Sequence, residues 1–413
     1  VSRFARKVPL APRSEGGHGV GSLELFYDLV FVFAITQVSH LLVPHPSWTL
    51  LGQAALCLAV VWWSWNYTTW VTNELDTEST VVRLMLIGVM LATFAMAIAI
   101  PDAFGERGLM FAGAYVAIQC GRHLFLTFAA ATAGSLERER AARILLWFAA
   151  SGVFWVAGGI AEGDARVWLW LIGLAIDYSA PLVLFRIPGM RVLGHETWQV
   201  DTHHFAERFQ LFVIIALGES IVITGATSSD SPLTSARAAA FLVAFAGTAA
   251  LWWLYFDYVA HIAERRLELS DQRTKLARDG YTYLHVVMVA GVIGSAVGDE
   301  LVLAHPSDRL PFEELAMIAG GPAVYLVAHV LFRLRMAGSI STKRLAGAAG
   351  CVAAGFAGLA GPGLLVAALV LAVLAAVIAA ELASGRRRAA RGEPSPMERL
   401  EGDPGTAGAE AVP

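Results

Sequence analysis

Residues 204–220 read HFAERFQLFVIIALGES, placing His204, Glu207, Arg208, Gln210 and Glu219 in a segment otherwise apolar enough to cross a bilayer. Each such group is costly in hydrocarbon, so a cluster of them requires partners or a polar interior. Other segments near the roughly 20 residues needed to span lie on both sides of it. They fall at 24–43, 49–71, 81–100, 109–130, 141–160 and 166–186, then 204–224, 237–260, 281–303, 313–334, 344–360 and 363–382. The pattern predicts an all-α, polytopic integral membrane helical bundle of about 12 transmembrane helices, with the lipid bilayer as its first partner.

Composition agrees. Hydrophobic residues make up 56% of the chain, charged residues only 15%, and mean hydropathy is +0.59. A soluble domain carries about 25% charged residues. Cys57, Cys120 and Cys351 all fall in apolar segments without paired spacing, which argues against a disulfide framework or a zinc site. The first twenty residues are basic and rich in Pro and Gly without an apolar core, so no cleavable signal peptide is expected. The chain divides into four regions: a basic cytoplasmic segment over 1–20, six-helix halves over 21–190 and 191–384, and a tail over 385–413 expected to be disordered.

Positive charge orients the helices. With the N-terminus inside, 24 of the 30 Lys and Arg fall on cytoplasmic connections or the tail. Arg107, Arg166, Arg237 and Arg309 fall outside, and Arg122 and Arg208 lie within helices. That bias predicts both termini in the cytoplasm of a multi-pass plasma-membrane protein.

The halves share features in order. Helix one carries Glu24-Leu25-Phe26 and helix seven Glu207-Arg208-Phe209; helix two carries Trp62-Trp63 and helix eight Trp252-Trp253. Helices four and ten each hold a His with Phe shortly after, His123/Phe125 and His329/Phe332. Six helices per half make any such repeat parallel. The plainer reading is that apolar helices resemble one another and that Trp pairs mark interfacial belts.

The intramembrane polar groups are candidates for a pathway: Glu24, Asp28, Arg122, His123, Asp177, His204, Glu207, Arg208, Glu219 and His285. Glu24 and Asp28 lie one turn apart on a single helix face, although a carboxylate at a helix start also suits the dipole. Arg122 is expected to pair with Asp177 or Glu219, either in a static bridge or along a route for charge. Pro181 is expected to kink helix six. Groups of this kind at graded depths are the parts of a proton relay or an ion-coupled binding site. Soluble catalytic signatures are absent, so no catalytic residues, cofactor or nucleic-acid partner are expected. His203 and His204 with Glu207 have a spacing able to face a metal, but without a second such motif no metal is expected.

SLELFYDLVFVFAITQ at 22–37, HFAERFQLFVIIALGES at 204–220, WWLYFD at 252–257 and YTYLHVVMVAGVIGSAVGDE at 281–300 together resemble the bacterial low temperature requirement protein A family. Gln210 stands where that resemblance implies a small residue. The resemblance implies an integral membrane protein linked by name to growth in the cold, and it brings no catalytic residues. Three functions fit the residues. One is a secondary transporter or ion-coupled carrier of a small solute or ion. Another is an intramembrane enzyme acting on a lipid or prenyl group through Asp28, His204, Glu207 and His285. The last is a membrane sensor or scaffold.

Overall fold

The computed structural model describes residues 19–43, 46–131, 134–229, 232 and 234–402. Most of the 1–20 segment and the tail beyond Gly402 therefore lie outside the described residues. The remainder is all-helical. In chain order the helices are α1 (Ser22–His40), α2 (Trp48–Thr72), α3 (Thr80–Ala99), α4 (Gly108–Phe125), α5 (Leu136–Ile160), α6 (Gly163–Ser179) and α7 (Thr202–Ser229). Next come α8 (Ser235–Phe256), α9 (Val259–Glu268), α10 (Arg273–Leu276), α11 (His285–Ala304), α12 (Phe312–Ala337), α13 (Thr342–Ala357), α14 (Gly363–Ala390) and α15 (Pro396–Glu401). Two π-helical turns interrupt the series, Leu126–Ala130 after α4 and Ala277–Leu284 leading into α11.

Among the described residues ten helices are long and apolar enough to cross a membrane. All twelve expected segments are helical, but α6 has 17 residues and α13 has 16. At 1.5 Å per residue these reach only about 24–26 Å, short of the ~30 Å hydrocarbon core. The expected kink in helix six is instead an end. α6 stops at Ser179: Ala180 keeps helical backbone and its N–H reaches the Ile176 carbonyl, but Pro181 has no N–H with which to carry the ladder further. Leu184 and Phe185 then take left-handed backbone, with φ of 53° and 52°, which non-glycine residues seldom adopt.

Helix starts obey local chemistry. The hydroxyls of Ser135, Thr234 and Ser341 accept from backbone N–H groups three residues on and cap α5, α8 and α13. Gly338, at φ 63°, closes α12 in the left-handed conformation glycine tolerates best. Apolar side chains line the outside: Leu84, Leu91, Phe128, Ile160, Trp168 and Leu242 are each between 64% and 71% exposed. Charged and polar groups such as Arg122, Arg208, Asp28 and His285 are buried. That arrangement suits a hydrocarbon solvent, and it identifies a polytopic membrane bundle in contact with lipid.

The chain forms two compact units, one of residues up to Leu41 with Gly52–Arg208, the other of Leu42–Leu51 with Phe209 onward. In the first, α3 packs on α1 and α4, α4 on α5, and α5 on α6. In the second, α11, α12, α13 and α14 pack in succession, and α14 returns to α8. α11 and α12 approach closely through glycines. A Cβ at Gly291 would lie 2.6 Å from the Tyr325 backbone nitrogen, and one at Gly321 2.4 Å from that of Ser295. Small residues at such crossings let helix backbones meet where no hydrophobic force drives them together.

Candidate functional site

The first unit holds a charged cluster built from α1, α2 and the start of α7. Asp201 caps α7 by accepting from the His204 backbone N–H at 3.2 Å. Asn73, just beyond α2, grips the same residue with its amide. Its Oδ1 accepts from the Asp201 N–H at 2.9 Å, and its Nδ2 donates to the Asp201 carbonyl at 3.0 Å. With the amide so oriented, Asn73 Nδ2 also donates to His204 Nδ1 at 3.1 Å. The other ring nitrogen, Nε2, therefore carries hydrogen and donates to Glu24 Oε2 at 2.9 Å. Both ring nitrogens are thus matched to neutral imidazole.

One turn on, Arg208 spans the two carboxylates that share a face of α1. Nη1 donates to Glu24 Oε1 and Nη2 to Asp28 Oδ1, each at 2.7 Å. Trp65 Nε1 donates to the same Asp28 oxygen at 2.8 Å. The guanidinium also lies over the rings of Trp65 and Tyr27, at 5.9 and 6.0 Å. Arg208, Glu24 and Asp28 are all nearly inaccessible. With His204 neutral, these four groups sum to one net negative charge, unusual in a buried site unless a further cation or proton enters. Glu207 stands apart, half-buried, and accepts from the Val20 N–H at 3.1 Å.

A second buried group lies in the same unit. Arg122 of α4 makes no direct ion pair with Asp177, one of its two expected partners; it bonds to Thr68 at 2.7 Å, to the Ser64 carbonyl at 3.3 Å and to Gln119 Oε1. Gln119 donates to the Tyr115 hydroxyl at 3.2 Å, and Tyr115 donates to Asp177 Oδ2 at 2.7 Å. Trp155 Nε1 donates to the same oxygen at 2.9 Å. Arg122 thus reaches Asp177 through two side chains of its own helix. His123 turns its Nδ1 to the Gln119 carbonyl, 2.9 Å away, within α4.

His285 belongs to the second unit. The π-helical turn before it presents the Gly280 carbonyl to His285 Nδ1 at 3.2 Å, and Tyr255 of α8 donates to Nε2 at 2.9 Å. Tyr281 stacks on the ring, with centroids 4.8 Å apart and planes at 8°. Nearby, Arg344 donates to His329 Nδ1 at 2.7 Å and grips Glu381 with Nε and Nη2 at 2.8 and 3.0 Å. Glu219 is buried in α7. Gln210, unexpected by type, donates to Glu264 at 3.2 Å, which a small residue cannot do. Among the described residues no group of three His, Cys, Asp or Glu is placed to hold a metal.

Several contributors carry no mark in the sequence. Trp65, next to a Trp pair that the plainer reading places in an interfacial belt, is fully buried beside Trp62 and Trp63, whereas Trp252 and Trp253 are exposed. Asn73, Gln119, Tyr115 and Arg344 give no signal, being ordinary residues at helix ends or on apolar faces. At one edge of the first unit, outside the spans, Glu74 pairs with Arg140, and burial pushes its carboxyl up despite that cation.

The geometry defines a multi-pass, all-α membrane protein with interior charge clusters. Over residues 19–380 it matches the family model described as bacterial low temperature requirement A protein, LtrA, and the chain belongs to that family. An uncharacterized protein of Rhizobium meliloti (strain 1021) is 38% identical over 303 residues, covering 73% of this chain and 74% of the relative. No solved structure matches.

Proposed function

We propose that the chain is a secondary carrier whose transport is coupled to a proton or ion at the Glu24–Asp28–His204–Arg208 cluster. The carrying observation is the charge balance: two carboxylates share one guanidinium in a buried site whose histidine is set neutral. A static bridge is most stable when its charges cancel, and this one does not. A site that changes charge is what a carrier needs.

On this reading the chain crosses the plasma membrane twelve times, with α6 and α13 as short spans and both termini in the cytoplasm. Arg107 and Arg166, which fall on the outer side in this orientation, donate to carbonyls of Ile98, Ala103, Gly105, Gly158 and Ala161. Serving the carbonyls of helix ends and turns explains why they depart from the inside bias.

The halves, 21–190 and 191–384, are read as a parallel repeat. The carbonyls of Ser64 and Leu254, each directly after a Trp pair, both accept from a buried arginine. Arg122 lies on the fourth segment of its half and Arg344 on the fifth of the other, so the shared feature is the carbonyl's position and not the arginine's. The two Trp pairs differ in burial, so any common ancestry lies in backbone register more than in side-chain environment.

Comparing solutes and lipids between cells that express the chain and cells that lack it tests the reading. A carrier displaces a solute between cell and medium. A missing lipid or prenyl product with solutes unchanged would instead indicate an enzyme, and no chemical difference beside impaired growth in the cold would indicate a sensor or scaffold.

A further inference from the structure

We infer that the coupling ion is a proton and that it binds Asp28 at Oδ2. The coupling half of this inference rests on the carrier reading; the protonation half does not.

Three of the four carboxylate oxygens in the cluster are occupied by donors. Glu24 Oε1 accepts from Arg208, and Oε2 from His204 and from the Gly21 N–H at 3.2 Å. Asp28 Oδ1 accepts from both Arg208 and Trp65. Asp28 Oδ2 is buried and has no hydrogen-bond partner. Leaving a charged oxygen desolvated and unmatched is costly, and adding hydrogen to it removes the charge while disturbing none of the bonds to Oδ1.

Hard metal cations collect about six to eight oxygens in a shell. Here one carboxylate oxygen is uncommitted, and the surrounding donors are a guanidinium, an indole and an imidazole N–H. These groups repel a metal ion and accommodate a carboxylic acid. Protonation of His204 instead would set a second ring N–H against the Asn73 amide nitrogen, whose orientation the Asp201 backbone fixes from both sides. Glu24 offers no vacant oxygen.

The charged and titratable groups around Asp28 come from each packed element. They are Glu24 and Tyr27 on its own helix, Arg208 and His204 on α7, and Arg122 of α4 beyond Tyr27. The step is a single proton binding. A proton from water forms an O–H bond at Oδ2, and the cluster passes from one net negative charge to neutral. Arg208 then remains balanced by Glu24 alone, which loosens its hold on α1 at Asp28 and ties the proton to the α1–α7 contact.

Infrared difference spectroscopy on the full chain in lipid nanodiscs, stepped between about pH 5 and about pH 8, reads this directly. The expected result is a protonated-carboxyl band that shifts in deuterated water, shifts with carboxyl-labelled aspartate, and disappears in Asp28→Asn. It persists in Asp177→Asn and Glu219→Gln, and replacing choline with sodium leaves its titration in place. If Asp28→Asn does not fold, Asp28→Glu serves, moving the band from the aspartate label to the glutamate label. A band that survives Asp28→Asn, that tracks glutamate labelling in the wild type, or that sodium suppresses overturns the inference. Absence of any titrating carboxyl band also overturns it and leaves the carrier reading standing. An intact band without proton-driven flux sinks the carrier reading instead.

Discussion

Arg208 holds Glu24 and Asp28 with separate nitrogens, each 2.7 Å from its oxygen, and so ties two successive turns of α1 to α7. Removing the guanidinium leaves two buried carboxylates facing each other. Arg208→Gln is expected to cost about 3–5 kcal/mol, the range for breaking a buried pair by deleting one partner. Thermal unfolding in nanodiscs checks this. Adding Glu24→Gln should recover part of the loss, with a coupling of about 0.5–3 kcal/mol. Strictly additive losses would mean that the pair does not interact as drawn.

Neighbouring glycines on α12 separate packing from helix propensity. A Cβ at Gly321 falls among α11 backbone atoms, whereas one at Gly320 meets nothing within 4 Å. Gly321→Ala should destabilise by about 1–3 kcal/mol through overpacking. Gly320→Ala should be neutral or stabilise by up to about 1 kcal/mol, since glycine is a poor helix former. Equal effects at the two positions would contradict the close approach of α11 and α12.

Tyr255→Phe removes the hydroxyl that donates to His285 Nε2 and leaves a buried acceptor without a partner. The expected cost is about 1–3 kcal/mol. His285→Phe removes the same bond but also unpairs the Gly280 carbonyl, so the double variant should lose less than the sum of the two single losses. Unfolding midpoints of the two single variants and the double variant measure this.

Glu74 is expected to give stability a pH dependence. Burial raises its carboxyl above the ordinary 4.5, so the folded chain binds a proton more readily than the unfolded chain. Its contribution is therefore greatest below pH 4.5 and declines as pH rises through the raised folded value. Wild type should lose stability relative to Glu74→Gln across that window, as read by melting temperature. A relative gain with rising pH would show that Arg140 outweighs burial.

The helices and the α1 face of the cluster were legible because their determinants are local. Apolar runs mark the spans, and a spacing of four puts Glu24 and Asp28 on one side of α1. The family was equally legible from four sequence blocks. Partner choice was not legible. Arg208 lies 180 residues beyond Asp28, and its selection depends on how α1 and α7 meet. Arg122 carried the same apparent need for a carboxylate, yet the tertiary structure supplies Thr68, Gln119 and a carbonyl. Trp65 illustrates a further limit, because the same residue type serves a lipid interface or a buried hydrogen bond. The end of α6 was half readable: Pro181 marks the place, but whether a proline kinks or stops a helix depends on the packing of the residues after it.

The most direct test of the carrier mechanism reconstitutes the full chain in proteoliposomes with a pH-sensitive dye inside and presents pools of small metabolites under an imposed pH gradient. Proton coupling at Asp28 predicts that at least one pool provokes proton movement together with its own uptake, and that Asp28→Asn abolishes the coupled proton movement. Absence of solute-dependent proton movement from every pool, or coupling undiminished in Asp28→Asn, would contradict it.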